Sequence, residues 1–139
     1  MKSELKKTKE KAQRIFNEWI RLRDCIETDG TPFAAICCTC NKLTQNNGDL
    51  QASHFILDSK NGNSTSFDPV NVNSSCKRCN RFLHGNLGNY AVFIIKKYGQ
   101  DELDRLQRLK LITKKWTITE FEEIYEEYKN KIKTFFKRT

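Results

Sequence analysis

The sequence predicts an α+β fold, with a small metal-bearing core set between helical flanks. Three observations carry that expectation. Apolar residues recur at helical spacing towards both ends of the chain, the periodicity stops in the middle, and the middle holds two Cys-x-x-Cys pairs. Spacing of about 3.6 residues marks an amphipathic helix, and its loss among Gly, Asn, Ser and Cys marks turns and short strands. At 139 residues the chain has room for one domain, 1–139. Within it we read a basic N-terminal helix (1–24), a zinc-bound core (25–86) and C-terminal helices (87–139).

The first helix follows from Leu5, Ala12, Ile15, Phe16, Trp19, Ile20 and Leu22, spaced among many charges after Ser3. Beyond Cys25 two tracts read as extended, 50–57 and 70–74, joined by a polar run, 58–66, expected to be a mobile loop. Segment 76–84 has the composition of a short helix stopped by Gly85. Asn86 or Asn89 is placed to cap the next helix, which runs to Gly99, and Asp101 to cap the one after. A last helix starts near Ile118, with Thr119 and Glu122 as a capping box. Its stripe of Phe121, Ile124, Tyr125, Tyr128, Ile132 and Phe135 is read as helix packing.

Composition bounds the partners. A formal charge of +8 and a pI of about 9.2 favour polyanions such as nucleic acid or an acidic membrane surface. The longest apolar run, 90–95, is far too short to cross a bilayer, so no membrane insertion is expected. The opening MKSELKKTKEKAQ has the charge of a signal peptide without its apolar stretch, so a cytoplasmic location is expected. In a reducing compartment cysteines are read as metal ligands rather than disulfides.

Cys37-x-x-Cys40 and Cys76-x-x-Cys79 are therefore read as two knuckles of one Cys₄ zinc site. Two intervening residues let the chain fold back so that both sulfurs face one ion. Cys38 competes with Cys37 on paper; Cys37 is preferred because its spacing matches the second pair. Cys25 is left over as a buried apolar thiol. The long stretch between the knuckles implies an inserted functional hairpin.

The order Cys37, Cys40, His54, Asn71, Cys76, Cys79, Asn80, His84 resembles that of the HNH (ββα-metal) nucleases, and in detail the NinG/Rap family of phage recombination proteins. The matching words are AQRIFNEWIRLRD at 12–24, ASHF at 52–55, FDPVNV at 67–72 and CKRCNRFLHGN at 76–86. The resemblance covers roughly 12–99. It implies a metal-dependent endodeoxyribonuclease that hydrolyses phosphodiester bonds in branched recombination intermediates such as Holliday junctions, inside a bacterial host cell. It also implies a ββα-metal core.

Phosphodiester hydrolysis needs an activated water and neutralised phosphate charge, and a neutral imidazole can take the water's proton near pH 7. His54 is the expected base. In the family an asparagine on the second strand ties the hairpin and holds that ring, a role that falls to Asn71. Asn80 and His84, four apart, would share one helix face and hold a catalytic Mg²⁺ or Mn²⁺. Relatives often carry Asp or His directly before the base, where this chain has Ser53. Asp58, at an even offset from His54, is preferred to Asp49 for completing the shell.

Lys77, Arg78 and Arg81 are expected to grip phosphates, while the lysines and arginines of the first helix fit DNA contact and plain solvation equally. A homodimer through the aromatic C-terminal helix and a monomer both stay open. Two rival functions remain beside the branched-DNA nuclease: a non-specific or nicking HNH nuclease, and a non-catalytic zinc-ribbon DNA-binding module.

Overall fold

The computed structural model describes residues 1–138. Among these, four α-helices surround two small antiparallel sheets, so the α+β class holds. Helix α1 spans Glu4–Asp29. Ser3 starts it by accepting the Lys6 N–H (3.2 Å). Gly30 ends it in the left-handed region, returning its N–H to Cys25 and Ile26. Five residues more than predicted are helical, because Cys25 itself is buried against Ala35 and Leu50.

Strands β1 (Ala34–Ile36) and β2 (Leu43–Gln45) form a hairpin that the sequence did not reveal. Its turn carries the first cysteine knuckle. Strands β3 (Leu50–His54) and β4 (Val72–Cys76) pair antiparallel from Leu50–Cys76 to His54–Val72. Both extended tracts were therefore located, although β3 is shorter and β4 begins two residues later than predicted.

The 55–71 connection departs from expectation. Asn63, Thr65 and Ser66 are buried, and Ser64–Phe67 forms a 3₁₀ turn, so a third of the predicted mobile loop is buried. The physical reason is polar satisfaction. The Asn63 amide donates to Leu57 O (3.2 Å), the Ser66 hydroxyl donates to Asn63 Oδ1 (2.9 Å), and the Trp116 indole donates to Asn63 O (2.9 Å).

After β4 the predicted helix at 76–84 is reduced to a short π-helical turn, Arg78–Phe82. Cys76 stays in the strand, and His84, Gly85 and Asn86 all take positive φ, which reverses the chain. Helix α2 (Leu87–Tyr98) follows, with Asn86 at its cap position but without a side-chain cap bond. Helix α3 (Gln100–Lys110) is preceded by Gly99, so Asp101 lies inside its first turn rather than capping it. Helix α4 spans Ile118–Arg138. Its capping box is Thr117 with Glu120, not Thr119 with Glu122: Thr117 N–H bonds Glu120 Oε1 and Glu120 N–H bonds Thr117 Oγ1, each at 3.1 Å.

Two apolar clusters fix the β3–β4 hairpin. Ala12, Phe16 and Ile20 of α1 meet Phe67, Val72, Phe121 and Tyr128, with Phe16 edge-on to Tyr128 at 4.8 Å. Behind it Phe55 and Ile56 meet Tyr90, Ile94, Leu103 and Leu106 of α2 and α3. Truncating a buried ring such as Phe16 would cost about 3–5 kcal/mol. None of the described helices is long and apolar enough to cross a membrane.

Candidate functional site

The four cysteines of the two knuckles converge. Their sulfurs lie within 4.8 Å of one another, and Cys40 and Cys76 are 3.8 Å apart. A tetrahedron with zinc–sulfur bonds of about 2.3 Å has edges of about 3.8 Å. The donor set and its spacing thus fit a structural zinc, and Cys37 rather than Cys38 completes it. Local backbone explains the convergence. Cys37 N–H bonds Lys42 O (2.9 Å) across the β1–β2 turn, and Asn41 closes that turn with φ 64°. Cys38 N–H bonds Ser74 O (3.0 Å), docking the first knuckle on β4, and Lys77 N–H bonds Asp49 O (2.8 Å).

The thiols differ in readiness to ionise. Burial works against a charge on Cys37, but the Thr39 hydroxyl and the backbone of Cys76, Cys40 and Thr39 outweigh it and bring the thiol down to about 6. Cys38 is pushed up, first by burial and then by the nearby Cys37 charge. Cys25 rises to about 11, mainly through burial with help from Asp24 and Asp29. Cys40, pushed up to about 12, and Cys76 are raised as well, both first by burial, so it is the convergence of the four sulfurs, not their acidity, that sets the ligands apart from Cys38 and Cys25.

His54 closes β3 and is half-buried. Its Nε2 sits 3.1 Å from the Ser66 carbonyl, which also accepts from the Gln13 amide at 3.4 Å. A carbonyl only accepts, so this shorter contact assigns the proton to Nε2 and leaves Nδ1 as the basic nitrogen, over the longer 3.5 Å approach of the Gln13 amide nitrogen to Nε2. Burial lowers the imidazole below its usual range, against the Ser66 carbonyl and the Asp58 charge, which both raise it. The ring is therefore neutral at physiological pH.

Asn71 is fully buried and ties the chain on either side of the long connection. It accepts Ile56 N–H (2.7 Å) and donates to Ile56 O (3.1 Å) and Thr65 O (2.9 Å). Thr65 directly precedes the carbonyl that holds His54. Sequence reasoning missed two further supports. The Tyr90 hydroxyl, fully buried, donates to Ser53 O (2.6 Å). Gln13 lies one turn from Phe16 on the buried stripe of α1, and that polar break in an apolar stripe was the available signal.

Asn80 and His84 do not form the pair expected of them. Asn80 turns towards β3, accepting from the Ser53 hydroxyl and donating to Gln51 Oε1, both at 2.8 Å. His84 lies beyond the helical turn at φ 50°, with its side chain exposed. The one-face geometry fails because the turn is wider than an α-helix and ends at Phe82.

Neighbouring strand residues project to opposite faces. Gln51 and Ser53 face Asn80, whereas His54 faces α1. The expected base thus leaves β3 on the side opposite to the one that Asn80 contacts. Ser53, Gln51 and Asn80 offer neutral oxygens only, a poor set for Mg²⁺, which usually takes one or two carboxylates with phosphate and water.

Asp58 lies past the end of β3, so the strand-face argument for it does not apply. It nevertheless lines the same cavity as His54, paired with Lys9 (2.7 Å) and accepting from the Ser66 hydroxyl (2.8 Å). Asp49 sits at the far end of β3. The cavity, about 690 Å³, lies between the first half of α1, the 58–62 loop and the 114–116 segment.

Lys77, Arg78 and Arg81 are exposed around the second knuckle. Arg23, counted with the basic face of α1, turns inward instead. Its guanidinium donates to Pro69 O (2.8 Å) and Val72 O (3.1 Å) and pairs with Asp24 (2.8 Å).

A family model described as "Bacteriophage Lambda NinG protein" matches residues 1–138. Protein ninG of Escherichia phage lambda is 31% identical over 122 residues, covering 88% of this chain and 54% of that protein. Protein ninG of Escherichia phage 933W is 30% identical, with 88% and 55% covered. Protein ninG of Salmonella phage P22 is also 30% identical, with 88% and 54% covered. The chain spans about half the length of the curated relatives it matches. No solved structure matches it.

Proposed function

The chain belongs to the bacteriophage lambda NinG family, and on that premise we propose that it is an HNH-type endodeoxyribonuclease acting on branched recombination intermediates, with His54 as general base. The observation that carries this reading is the state of His54. It is a neutral imidazole held in one tautomer by the Ser66 carbonyl, beside an open cavity and anchored by the buried Asn71 amide. A fixed neutral imidazole is what proton abstraction near pH 7 requires, and such a base contributes about 10²–10⁴ in rate.

In the reaction proposed, water attacks phosphorus while Nδ1 of His54 takes its proton. The bond to the leaving oxygen breaks, and that oxygen recovers a proton from solvent. Lysines around the cavity offset the phosphate charge. Cys37, Cys40, Cys76 and Cys79 would hold a structural zinc that ties the two knuckles together. The family resemblance implies a catalytic Mg²⁺ or Mn²⁺, and Asp58 is the carboxylate that shares the cavity with His54.

One observation favours a second reading, the non-catalytic zinc-ribbon DNA-binding module. Asn80 is turned to Ser53 and Gln51 on the face away from His54, with one bond accepted and one donated. A single comparison separates the readings. Wild type is incubated with a four-way junction, a matched linear duplex and a single strand, in Mg²⁺, Mn²⁺ or a brief EDTA treatment that leaves zinc content unchanged. Junction cutting that needs the divalent ion supports the proposal. Equal cutting of junction and linear duplex leaves a non-specific nuclease. Binding without cutting under every ion leaves the binding module.

A further inference from the structure

The cavity beside His54 is built of two unlike materials. Five lysines line it (Lys6, Lys9, Lys60, Lys114 and Lys115) against two carboxylates, Glu10 and Asp58, while Leu5 and Trp116 add apolar surface. The Trp116 ring stacks on Phe121 and carries the Lys114 ammonium 4.5 Å from its centroid, so a base placed there displaces Lys114 or meets the ring edge. Lys9 is spent on Asp58 and Lys114 on Glu120. Among the described residues, Lys6, Lys60 and Lys115 form no ion pair, and all three are exposed.

The walls are held in place. Lys114 N–H bonds Gly62 O (3.0 Å), and any side chain at Gly62 would collide with the Lys114 carbonyl. The 58–62 loop and the 114–116 segment are therefore joined backbone to backbone, which fixes Lys60 and Lys115 on one rim.

A double helix hides its base faces and offers its surroundings phosphates and groove edges. An unpaired strand offers both phosphates and bare base faces, and grooves that bind one combine cationic rims with apolar or aromatic platforms.

We propose that this cavity seats an unpaired strand of DNA, its phosphates on Lys6, Lys60 and Lys115 and a base against Leu5 and Trp116. The inference deepens the reading of His54 as the hydrolytic base and rests on it for the strand's position at the cut. It also supplies a physical basis for preferring branched DNA, in which strands separate.

The test uses the full zinc-loaded chain without added divalent ion. Fluorescence anisotropy follows a labelled 12-nucleotide single strand, with unlabelled single strand or matched duplex as competitor. The variant pair is Lys60→Glu with Lys115→Glu. The control pair, Lys133→Glu with Lys137→Glu, makes the same charge change on exposed residues of α4. Lys133 lies 12 residues from Phe121, about 18 Å along the helix.

The cavity pair should weaken single-strand binding about tenfold and reduce the salt slope by about 1.4, as expected for two lost phosphate contacts. The control pair should change binding less than about twofold. Duplex should compete poorly. In a Trp19→Phe background, Trp116 fluorescence should fall as the strand binds. Equal weakening by both pairs, duplex competing as well as single strand, or no Trp116 response would overturn the proposal.

Failure of the two readings is distinguishable. If Lys60 and Lys115 govern strand binding while His54→Ala still cuts, the base assignment fails alone. If His54 governs cutting while strand binding ignores both lysines, the cavity assignment fails alone.

Discussion

On one face of the β3–β4 hairpin, Ala52, His54 and Val72 meet α1; on the other, Gln51 and Ser53 meet the short turn that carries Cys79 and Asn80. The first face supplies a neutral imidazole, an open cavity and exposed lysines. The second supplies four convergent cysteines and a network of neutral hydrogen bonds. Strand alternation makes this division unavoidable for Ser53 and His54, which are neighbours in the chain. The lesson is that adjacency in sequence along a strand separates functions as readily as it joins them. The four convergent cysteines lie on one side of the hairpin, and the imidazole with its cavity lies on the other.

The most severe way to break the comparison is to remove the metal. A structural zinc contributes on the order of 10 kcal/mol, comparable to the whole stability of a small domain. Chelation to verified zero zinc, or Cys79→Ala, should abolish the folded circular-dichroism spectrum. An unchanged spectrum would mean that the cysteine face is dispensable.

Next in size is Asn71→Ala. It strands the Ile56 N–H and carbonyl in the interior and leaves the Thr65 carbonyl with only the Asp68 N–H, at a cost of about 3 kcal/mol. The melting temperature should fall, and cutting should fall with it even at temperatures where the variant is folded, because the loop holding His54 loosens. Asn80→Ala, on the half-exposed opposite side, should cost only about 1 kcal/mol. Equal destabilisation by the two would erase the asymmetry drawn between the faces.

A smaller effect concerns pH. Burial lowers the His54 pKa, so between that value and the unfolded value of about 6.5 the unfolded chain binds a proton that the folded chain does not. Stability should therefore rise with pH across that window and be lost as pH falls through it. His54→Gln should flatten this slope. A denaturation series from pH 5 to 7.5 reads the effect; an unaltered slope in the variant would contradict it.

Smallest is the rim of exposed cations. Arg78→Ala with Arg81→Ala should leave stability within about 0.5 kcal/mol and lower the duplex-binding salt slope by about 1.8. No change in that slope would remove these residues from the DNA surface.

Legibility in the sequence followed the same division. The zinc ligands could be read because a metal imposes a fixed local spacing on a rare residue type, and the structure brings together the four cysteines chosen. The first helix could be read because Ser3 and the stripe of Ala12, Phe16 and Ile20 are local signals, although its end at Gly30 was placed too early, at Asp24. Strands β1 and β2 could not, since three residues leave no periodicity to detect. The 58–66 segment looked mobile because its polar side chains find partners only in the folded molecule: Asn63 with Leu57 and Trp116, Ser66 with Asp58. Arg23 was misplaced for the same reason, its partners being carbonyls 46 and 49 residues away. The Asn80 and His84 pair assumed an uninterrupted α-helix, and the positive φ values at His84, Gly85 and Asn86 end that assumption.

The most direct test of the account compares wild type with His54→Ala for zinc content, circular dichroism and junction cutting in Mg²⁺ or Mn²⁺, measured on the same preparations. The account predicts one zinc per chain and matching spectra in both proteins, with cutting reduced about 10²–10⁴-fold in the variant. A His54→Ala protein that cuts at the wild-type rate, or that loses its zinc, would contradict the separation of the two faces.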